Sequence, residues 1–290
     1  MRRDTLKYVF SVWTAIVLLG LYLPFIIMTI LSFTGPKGNM TFPLENPGLY
    51  WYKFLLFGTE VPGATQSDPV ATYYGGALFR SVVIALIVTF VSTGLGLTAA
   101  QAFRQKFRGS GPVFFLFLLG IITPGVTVGL GQAFLYEFAL GLEKNWLTTT
   151  LISHITYTFP FCFLVMMVFF NRFDRSVEEA AASLGASPWT VYKTVTLPIV
   201  VPGLLASALF AFTLSLDEFA RSSFVLGVKI TVPIMILGAQ THALRPTIYV
   251  VGTLTTVISI GVIFLVLAMM KIRLARTKLK PGERLQEEAA

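Results

Sequence analysis

The chain of 290 residues is 55% hydrophobic and 12% charged, with a formal net charge of +8 at pH 7. Soluble globular proteins contain about a quarter charged residues, so this composition and the mean hydropathy of +0.75 exclude a soluble globular domain. The basic residues lie between long apolar runs, which indicates membrane topology and no nucleic-acid partner. We therefore expect an all-α integral membrane protein.

Six long apolar runs predict six transmembrane helices. The runs cover residues 8–31, 78–103, 113–138, 147–170, 199–224 and 247–270. The first run is longer than the core of a cleavable signal peptide, about 7–15 residues, so we predict an uncleaved span. Residues 32–77 are polar and turn-rich, with aromatic residues that favour the membrane–water interface, and we interpret them as an outer loop with a short interfacial helix. No linker or repeat divides the sequence, which predicts a single transmembrane domain over residues 1–290.

The third run combines a proline with several glycines. Small residues allow membrane helices to approach closely, which predicts a packed interior helix. The sequence Thr123-Pro124-Gly125 fits either a kink that shapes a gate or a packing irregularity, and the sequence leaves both open.

Positive charge indicates the orientation of the chain. The N-terminus, the segments after the second and fourth runs, and the C-terminal tail hold 15 of the 22 Lys and Arg residues. Because short cytoplasmic segments of membrane proteins are enriched in Lys and Arg, we predict that both termini face the cytoplasm.

The segment 175–198, between the fourth and fifth runs, is too polar for the bilayer and is predicted to form two short helices. Ser176 is expected to cap the first, with Glu179 completing a capping box. Gly185 is a natural C-terminal stop.

The second short helix is expected to begin at Ser187, which caps it, with Pro188 at its first position. Leu197-Pro198 is expected to end it before the next span. We expect four apolar side chains on the two helices to contact something other than water: Ala180, Leu184, Trp189 and Val191.

This segment resembles the signature loop of type I ABC importer permeases, whose pattern is Glu-Ala-Ala, three residues, Gly, nine residues, an aliphatic residue, one residue, and Leu-Pro. The matching residues are Glu179, Ala180, Ala181, Gly185, Val195, Leu197 and Pro198. The resemblance implies that the region through Ala186, Ser187, Pro188 and Trp189 contains coupling helices that dock on an ATPase. The plainer alternative is a good helix-forming sequence with a glycine stop.

The fifth run carries the charged residues Asp217, Glu218 and Arg221. A charge at the centre of a membrane helix costs at least ~2.5–3.5 kcal/mol, so these side chains should face protein or water. In one arrangement Asp217 and Arg221, four residues apart on one helix face, neutralise each other and Glu218 lies at a wet helix end. In the other, one carboxylate faces a translocation path and receives a cationic substrate.

The sequence Ser215-Leu-Asp-Glu-Phe, followed by Ser222-Ser-Phe and Gly227, resembles the spermidine/putrescine permeases, particularly the second of their paired subunits. This resemblance implies a polyamine substrate and a path that includes Ser215, Asp217, Glu218 and Arg221. Similar permeases move opines, phosphonates and other small organic solutes, so these remain alternatives. Arg221 is an obstacle to the polyamine interpretation, because a cation beside the path would repel the substrate.

The resemblance also implies the partners: an ATPase dimer, a second permease chain that is homologous but not identical, a solute-binding protein, and the lipid of a bacterial inner membrane. The sequence has no Walker lysine loop, so ATP and magnesium belong to the ATPase, and we predict no catalytic residue, metal or cofactor in this chain. The lone Cys162 is expected to be a buried apolar side chain, and His154 a helix–helix hydrogen bond and not a proton relay. An intramembrane enzyme and an ion-coupled secondary transporter are the alternative classes.

Overall fold

A computed structural model describes residues 3–40, 42–61, 68–105, 107–240 and 245–278, with side chains described between residues 6 and 272 of these ranges. All regular elements in these ranges are helical, which confirms the predicted fold class. The α-helices in chain order are α1 (Arg3–Leu31), α2 (Tyr50–Phe57), α3 (Pro69–Phe103), α4 (Ser110–Ile122), α5 (Gly125–Phe134), α6 (Thr148–Asn171), α7 (Ser176–Ser183), α8 (Pro188–Val191), α9 (Leu197–Leu216), α10 (Ser222–Val225), α11 (Val232–Gln240) and α12 (Pro246–Lys278). Two π-helical segments, Leu135–Ala139 and Tyr192–Thr196, extend α5 and join α8 to α9.

Five helical stretches in the described ranges are long and apolar enough to cross a membrane. They are Leu6–Leu31, Pro69–Phe103, Thr148–Asn171, Pro188–Leu216 and Pro246–Ile272. These stretches correspond to the first, second, fourth, fifth and sixth predicted runs. The total of six spans and the orientation remain predictions.

The third predicted run, 113–138, is bent and not straight. Ser110–Ile122 and Gly125–Ala139 meet at an angle of 104° and together count as one span only if the bend is included. Thr123 and Pro124 are both extended, with ψ of 131°. Pro124 has no N–H to donate, and it disfavours helical geometry at the residue before it, so the helix stops here.

The predicted outer loop at 32–77 contains more helix than expected. It includes α2, the anticipated short helix, and α3 begins at Pro69 instead of residue 78. Residues 41 and 62–67 of this loop lie outside the described residues. Four of the basic residues used for the orientation also lie outside them: Arg2, Lys106, Lys280 and Arg284.

The chain divides into two compact units, residues 1–76 with 235–258 and residues 77–234 with 259–290. In the second unit, α3, α6 and α9 pack around a buried apolar cluster whose largest members are Phe163, Met166 and Phe170. Cys162 is fully buried beside it, as predicted. In the first unit, the Thr247 hydroxyl donates to Oδ2 of the buried Asp68 at 2.9 Å, which fastens the start of α12 to the start of α3.

Candidate functional site

The first helix of the polar segment 175–198 is capped by a different residue from the one predicted. Oδ1 of Asp174 accepts a hydrogen bond from the Ser176 backbone N–H at 3.0 Å. Arg175 already has helical backbone angles, so Ser176 lies inside the first turn and the predicted capping box with Glu179 is wrong. The Ser176 hydrogen bond lowers the pKa of the Asp174 carboxyl, which places a negative charge at the favourable end of α7.

Gly185 ends this helix as predicted. Its φ of +87° lies in the left-handed region that glycine favours. The Ala186 N–H donates to the Ala181 carbonyl at 3.2 Å, and the Gly185 N–H donates to the Ala182 carbonyl at 2.9 Å. These two bonds are the Schellman arrangement, which satisfies the carbonyls at a helix C-terminus.

The second helix begins as predicted but does not end where expected. Ser187 Oγ accepts from the Thr190 N–H at 3.3 Å, and Pro188 is the first helical residue. The helix then continues through Tyr192–Thr196 into α9, so the predicted end at Leu197-Pro198 is wrong. The Leu197 N–H donates to the carbonyl five residues earlier; a π-helical turn of this kind accommodates the donor that Pro198 lacks.

The two short helices present an apolar surface. Leu184 is 90% exposed and Trp189 is 69% exposed, with the Trp189 ring stacked on Tyr192 at 5.7 Å. Val191 is buried, in contrast to the prediction that it shares this surface. Among the ten residues predicted for coupling, Ala181, Ala186 and Leu197 are half-buried, and the exposed ones are Glu179, Ala180, Gly185, Ser187, Pro188, Trp189 and Pro198.

Sequence reasoning missed the residue that attaches α7 to the rest of the unit. Glu178, the neighbour of Glu179, accepts two hydrogen bonds from Arg104, which follows α3. These bonds hold the pKa of the Glu178 carboxyl below its usual range; the Thr196 hydroxyl acts in the same direction, and burial acts against them. The only signal in the sequence was that two glutamates stand side by side. Glu179 belongs to the signature pattern, so Glu178 was available for another role.

The charged residues of the fifth run lie beyond the end of its helix. Helix α9 stops at Leu216, and residues 217–221 form a break before α10. Glu218 Oε1 accepts from the Arg221 backbone N–H at 2.8 Å, and Glu218 Oε2 lies 3.1 Å from Arg221 Nη1. Of the two arrangements considered from the sequence, the one that pairs Asp217 with Arg221 is therefore wrong, because the shared helix face that it required does not exist.

The three charged residues of this break differ in how exposed they are. Glu218 and Arg221 are buried at 6% and 4% exposure, whereas Asp217 is exposed. The Arg221 guanidinium also lies 3.9 Å from the centroid of the Tyr157 ring, a cation–π contact that covers it. Asp217 lines a cavity together with Thr123, Thr213 and Tyr157, and the paired Glu218 and Arg221 line the same cavity.

His154 joins the two sides of the break. Its Nδ1 lies 2.8 Å from Ser215 Oγ in the last turn of α9, and its Nε2 lies 2.8 Å from Ser222 Oγ in α10. All three side chains are buried, which confirms the predicted helix–helix hydrogen bond. Ser215, predicted for the substrate path, is thus turned towards His154.

The bent third run packs directly against this break. A Cβ at Gly129 would lie 2.8 Å from the Arg221 Cα, so only glycine allows α5 to approach α10 this closely. Gln132, on the same helix, accepts from Ser153 at 2.5 Å and donates to Thr156 at 2.9 Å. The break is therefore held by both α5 and α6. In the described residues no three His, Cys, Asp or Glu side chains are arranged to hold a metal ion.

Comparison with known protein families shows the family to which this chain belongs. The model of the binding-protein-dependent transport system inner membrane component matches residues 92–278. The chain belongs to this family. As an inner membrane component, it is a multi-pass permease subunit of an ABC transport system and a transport component, not an enzyme; the ATPase is a separate subunit.

Curated relatives of this inner membrane component are polyamine permeases by name. The putrescine transport system permease protein PotI of Escherichia coli (strain K12) is 29% identical over 263 residues, covering 87% of this chain and 88% of that protein. The spermidine/putrescine transport system permease protein PotC of the same strain is 27% identical over 264 residues, covering 91% and 93%. PotC of Haemophilus influenzae is 27% identical over 247 residues, covering 84% and 90%.

Solved structures share the fold of this inner membrane component. A bacterial alginate ABC transporter in complex with an alginate pentasaccharide-bound periplasmic protein superposes with a TM-score of 0.67 at 14% identity, covering 91% of this chain and 93% of that chain. The MetNI methionine ABC transporter in an inward-facing conformation gives a TM-score of 0.59 at 15% identity, covering 71% and 99%.

Proposed function

We propose that this permease forms half of the path by which an ATP-driven importer moves a polyamine, putrescine or spermidine, into the cell. The observation that carries the proposal is the separation of charge at the helix break. Asp217 presents a carboxylate to a cavity, while the neighbouring cation, Arg221, is buried, paired with Glu218 and covered by Tyr157. Arg221 lines the same cavity, but the Glu218 carboxylate neutralises its charge, which weakens the repulsion expected from it. The names of the relatives PotI and PotC point to the same substrate class.

The other polar groups of the cavity suit an ammonium group. The hydroxyls of Thr123 and Thr213 already donate to the Leu119 and Leu209 carbonyls of their own helices, so each offers an oxygen acceptor to the cavity. Together with Asp217 they form an acceptor set for the N–H donors of a protonated amine. Opines and aminophosphonates, the alternative solutes, carry anionic groups that these oxygens would repel.

The segment 175–198 is proposed to dock on the ATPase subunit. Its exposed Leu184 and Trp189 form the kind of apolar anchor that protein interfaces bury, and Glu179 in the same segment is also exposed. ATP and magnesium are then used by that partner, and this chain binds no cofactor. Both termini and this segment are proposed to face the cytoplasm.

Two further partners follow from the proposal. A second permease chain, homologous but not identical, would complete the path, and a solute-binding protein would deliver the polyamine from outside. No nucleic-acid partner is proposed. Family membership argues against the ion-coupled secondary transporter and the intramembrane enzyme considered from the sequence.

The substrate proposal is tested by ATPase activity of the purified complex with its binding protein, paired permease and ATPase. We expect stimulation by putrescine or spermidine, and no stimulation by an opine or an aminophosphonate. Asp217→Asn should remove the polyamine response, whereas Glu137→Gln, which removes one partner of an exposed ion pair with Lys144, should leave it unchanged. Stimulation by another solute alone, unaffected by Asp217→Asn, would overturn the polyamine path.

A further inference from the structure

The coupling segment 175–198 is tied to the end of α3 by one ion pair. Arg104 Nη1 donates to Glu178 Oε1 at 2.9 Å, and Arg104 Nη2 donates to Glu178 Oε2 at 2.6 Å. The two residues are 74 positions apart in the sequence. A two-bond arrangement of guanidinium and carboxylate fixes orientation as well as distance, so it resists both sliding and rotation of α7 relative to α3.

The surroundings of the pair bring two more elements into the same contact. The Arg104 guanidinium lies 5.2 Å from the ring centroid of Phe170 at the end of α6 and 4.9 Å from that of Phe173. The Thr196 hydroxyl, in the π-helical segment before α9, donates to Glu178 Oε1. Arg104 and Glu178 therefore join α7 to the ends of α3 and α6 and to the start of α9.

One further side-chain bond links the start of α7 to the end of α3, because the Arg175 guanidinium donates to the Arg104 backbone carbonyl. None of the residues of α7 is buried, so apolar packing does not fix its position. The Arg104 side chain is only 8% exposed and that of Glu178 only 20% exposed. Such a shielded pair is weakened by solvent less than a surface pair is, and removal of one partner leaves a charge without its counter-charge.

We propose that Arg104 and Glu178 are positioning residues that transmit displacement of the coupling segment to the transmembrane helices α3 and α6. The inference rests on the proposed docking of segment 175–198 on the ATPase. Displacement of α7 can reach α9 through the backbone, because α8 continues into α9. Transmission to α3 depends on side-chain contacts, because α3 precedes the segment by more than 70 residues. This pair is the ionic contact among them, and the Arg175 guanidinium adds a bond to the Arg104 carbonyl.

The test is a charge exchange in the complete transporter, reconstituted with its ATPase, paired permease and binding protein. The variants are Arg104→Glu, Glu178→Arg and the double variant, with Glu178→Gln as a milder change. Glu137→Gln serves as the control, because it breaks an ion pair outside the segment. The measured quantity is the number of putrescine molecules taken up per ATP hydrolysed, with co-purification of the ATPase as the assembly check.

We expect each single exchange, and Glu178→Gln, to lower uptake per ATP by about fivefold or more while the ATPase remains bound and active, and the double variant to recover most of the loss. If the pair only stabilised the fold, the variants would lower the yield of assembled complex but would not change the uptake per ATP hydrolysed. Normal coupling in the single variants would overturn the inference. If the single exchanges do not assemble, a double variant that assembles but stays uncoupled would overturn it, and one that couples would support it.

The experiment distinguishes failure of the proposed function from failure of this inference. A wild-type complex that binds the ATPase but takes up no putrescine would reject the substrate, and the charge exchange would then be scored by the ATPase stimulation that the binding protein produces. A wild-type chain that binds no ATPase would reject the coupling role and this inference together.

Discussion

The Glu218 carboxylate and the Arg221 guanidinium form a buried ion pair, with 3.1 Å between Glu218 Oε2 and Arg221 Nη1. The same carboxylate accepts the Arg221 backbone N–H, so it also orders the start of α10. Both carboxylates line the cavity, but Glu218 is buried and paired, so Asp217 is the one that is exposed there. The negative charge that Asp217 gives the proposed path is therefore left uncancelled because Arg221 is paired with Glu218.

Removing one partner of the Glu218–Arg221 pair should destabilise the permease strongly. Glu218→Gln or Arg221→Gln leaves a buried charge without its counter-charge, at a cost of about 3–5 kcal/mol. Thermal unfolding of the purified chain measures the loss. The double variant removes both charges and should be more stable than either single variant. Equal stability of the wild type and the single variants would contradict a buried pair.

Asp217→Asn should reduce polyamine transport without a comparable loss of stability. The Asp217 side chain is exposed, so the change removes a charge from the cavity and disturbs no buried contact. Initial uptake rates of putrescine and the thermal unfolding midpoint are measured on the same preparation. An unchanged transport rate would place the path elsewhere in the bundle.

The Arg104–Glu178 pair should make stability depend on pH in the acid range. The folded-state pKa of Glu178 is lowered, first by the Arg104 hydrogen bonds; the charged groups that face it are Arg104 and Arg175. A lowered pKa means that the stabilisation is fully present above the ordinary glutamate value of about 4.3 and is lost as the pH falls through the folded value.

The unfolding midpoints of the wild type and Glu178→Gln measure this effect. We expect the wild type to be more stable at pH 7, with the difference shrinking below about pH 4.3. A difference that stays constant down to strongly acid pH would contradict the ionised pair.

Gly129→Ala should destabilise the contact between α5 and α10. The new Cβ would lie 2.8 Å from the Arg221 Cα, so the two backbones must move apart; such overpacking typically costs about 1–3 kcal/mol. Gly131→Ala, two residues along the same helix, is the matched control, because a Cβ there meets nothing within 4 Å. Equal unfolding midpoints for the two variants would show that α5 does not pack closely on α10.

Local features were predictable from the sequence because their causes are local. Ser187-Pro188 starts a helix and Gly185 stops one through bonds between residues at most five positions apart. The apolar runs likewise predicted the candidate spans, since the length and composition of a membrane helix are fixed by the bilayer.

The remaining features depend on tertiary contacts that no local pattern contains. The Arg104–Glu178 pair joins residues 74 positions apart. The end of α9 at Leu216 is marked by neither Gly nor Pro; it is supported instead by Glu218 and by His154, which bonds to Ser215 and Ser222 across the break. The pairing of Asp217 with Arg221 failed for this reason, because it assumed a helix that continued to residue 224.

Uptake of radiolabelled putrescine tests the central claim most directly. The complete complex is placed in vesicles with ATP and magnesium enclosed and the binding protein outside. We predict accumulation that requires the enclosed ATP and the binding protein, and that falls when Asp217→Asn replaces the wild-type chain. An assembled complex that hydrolyses ATP in response to its binding protein but accumulates no putrescine or spermidine would contradict the proposed function.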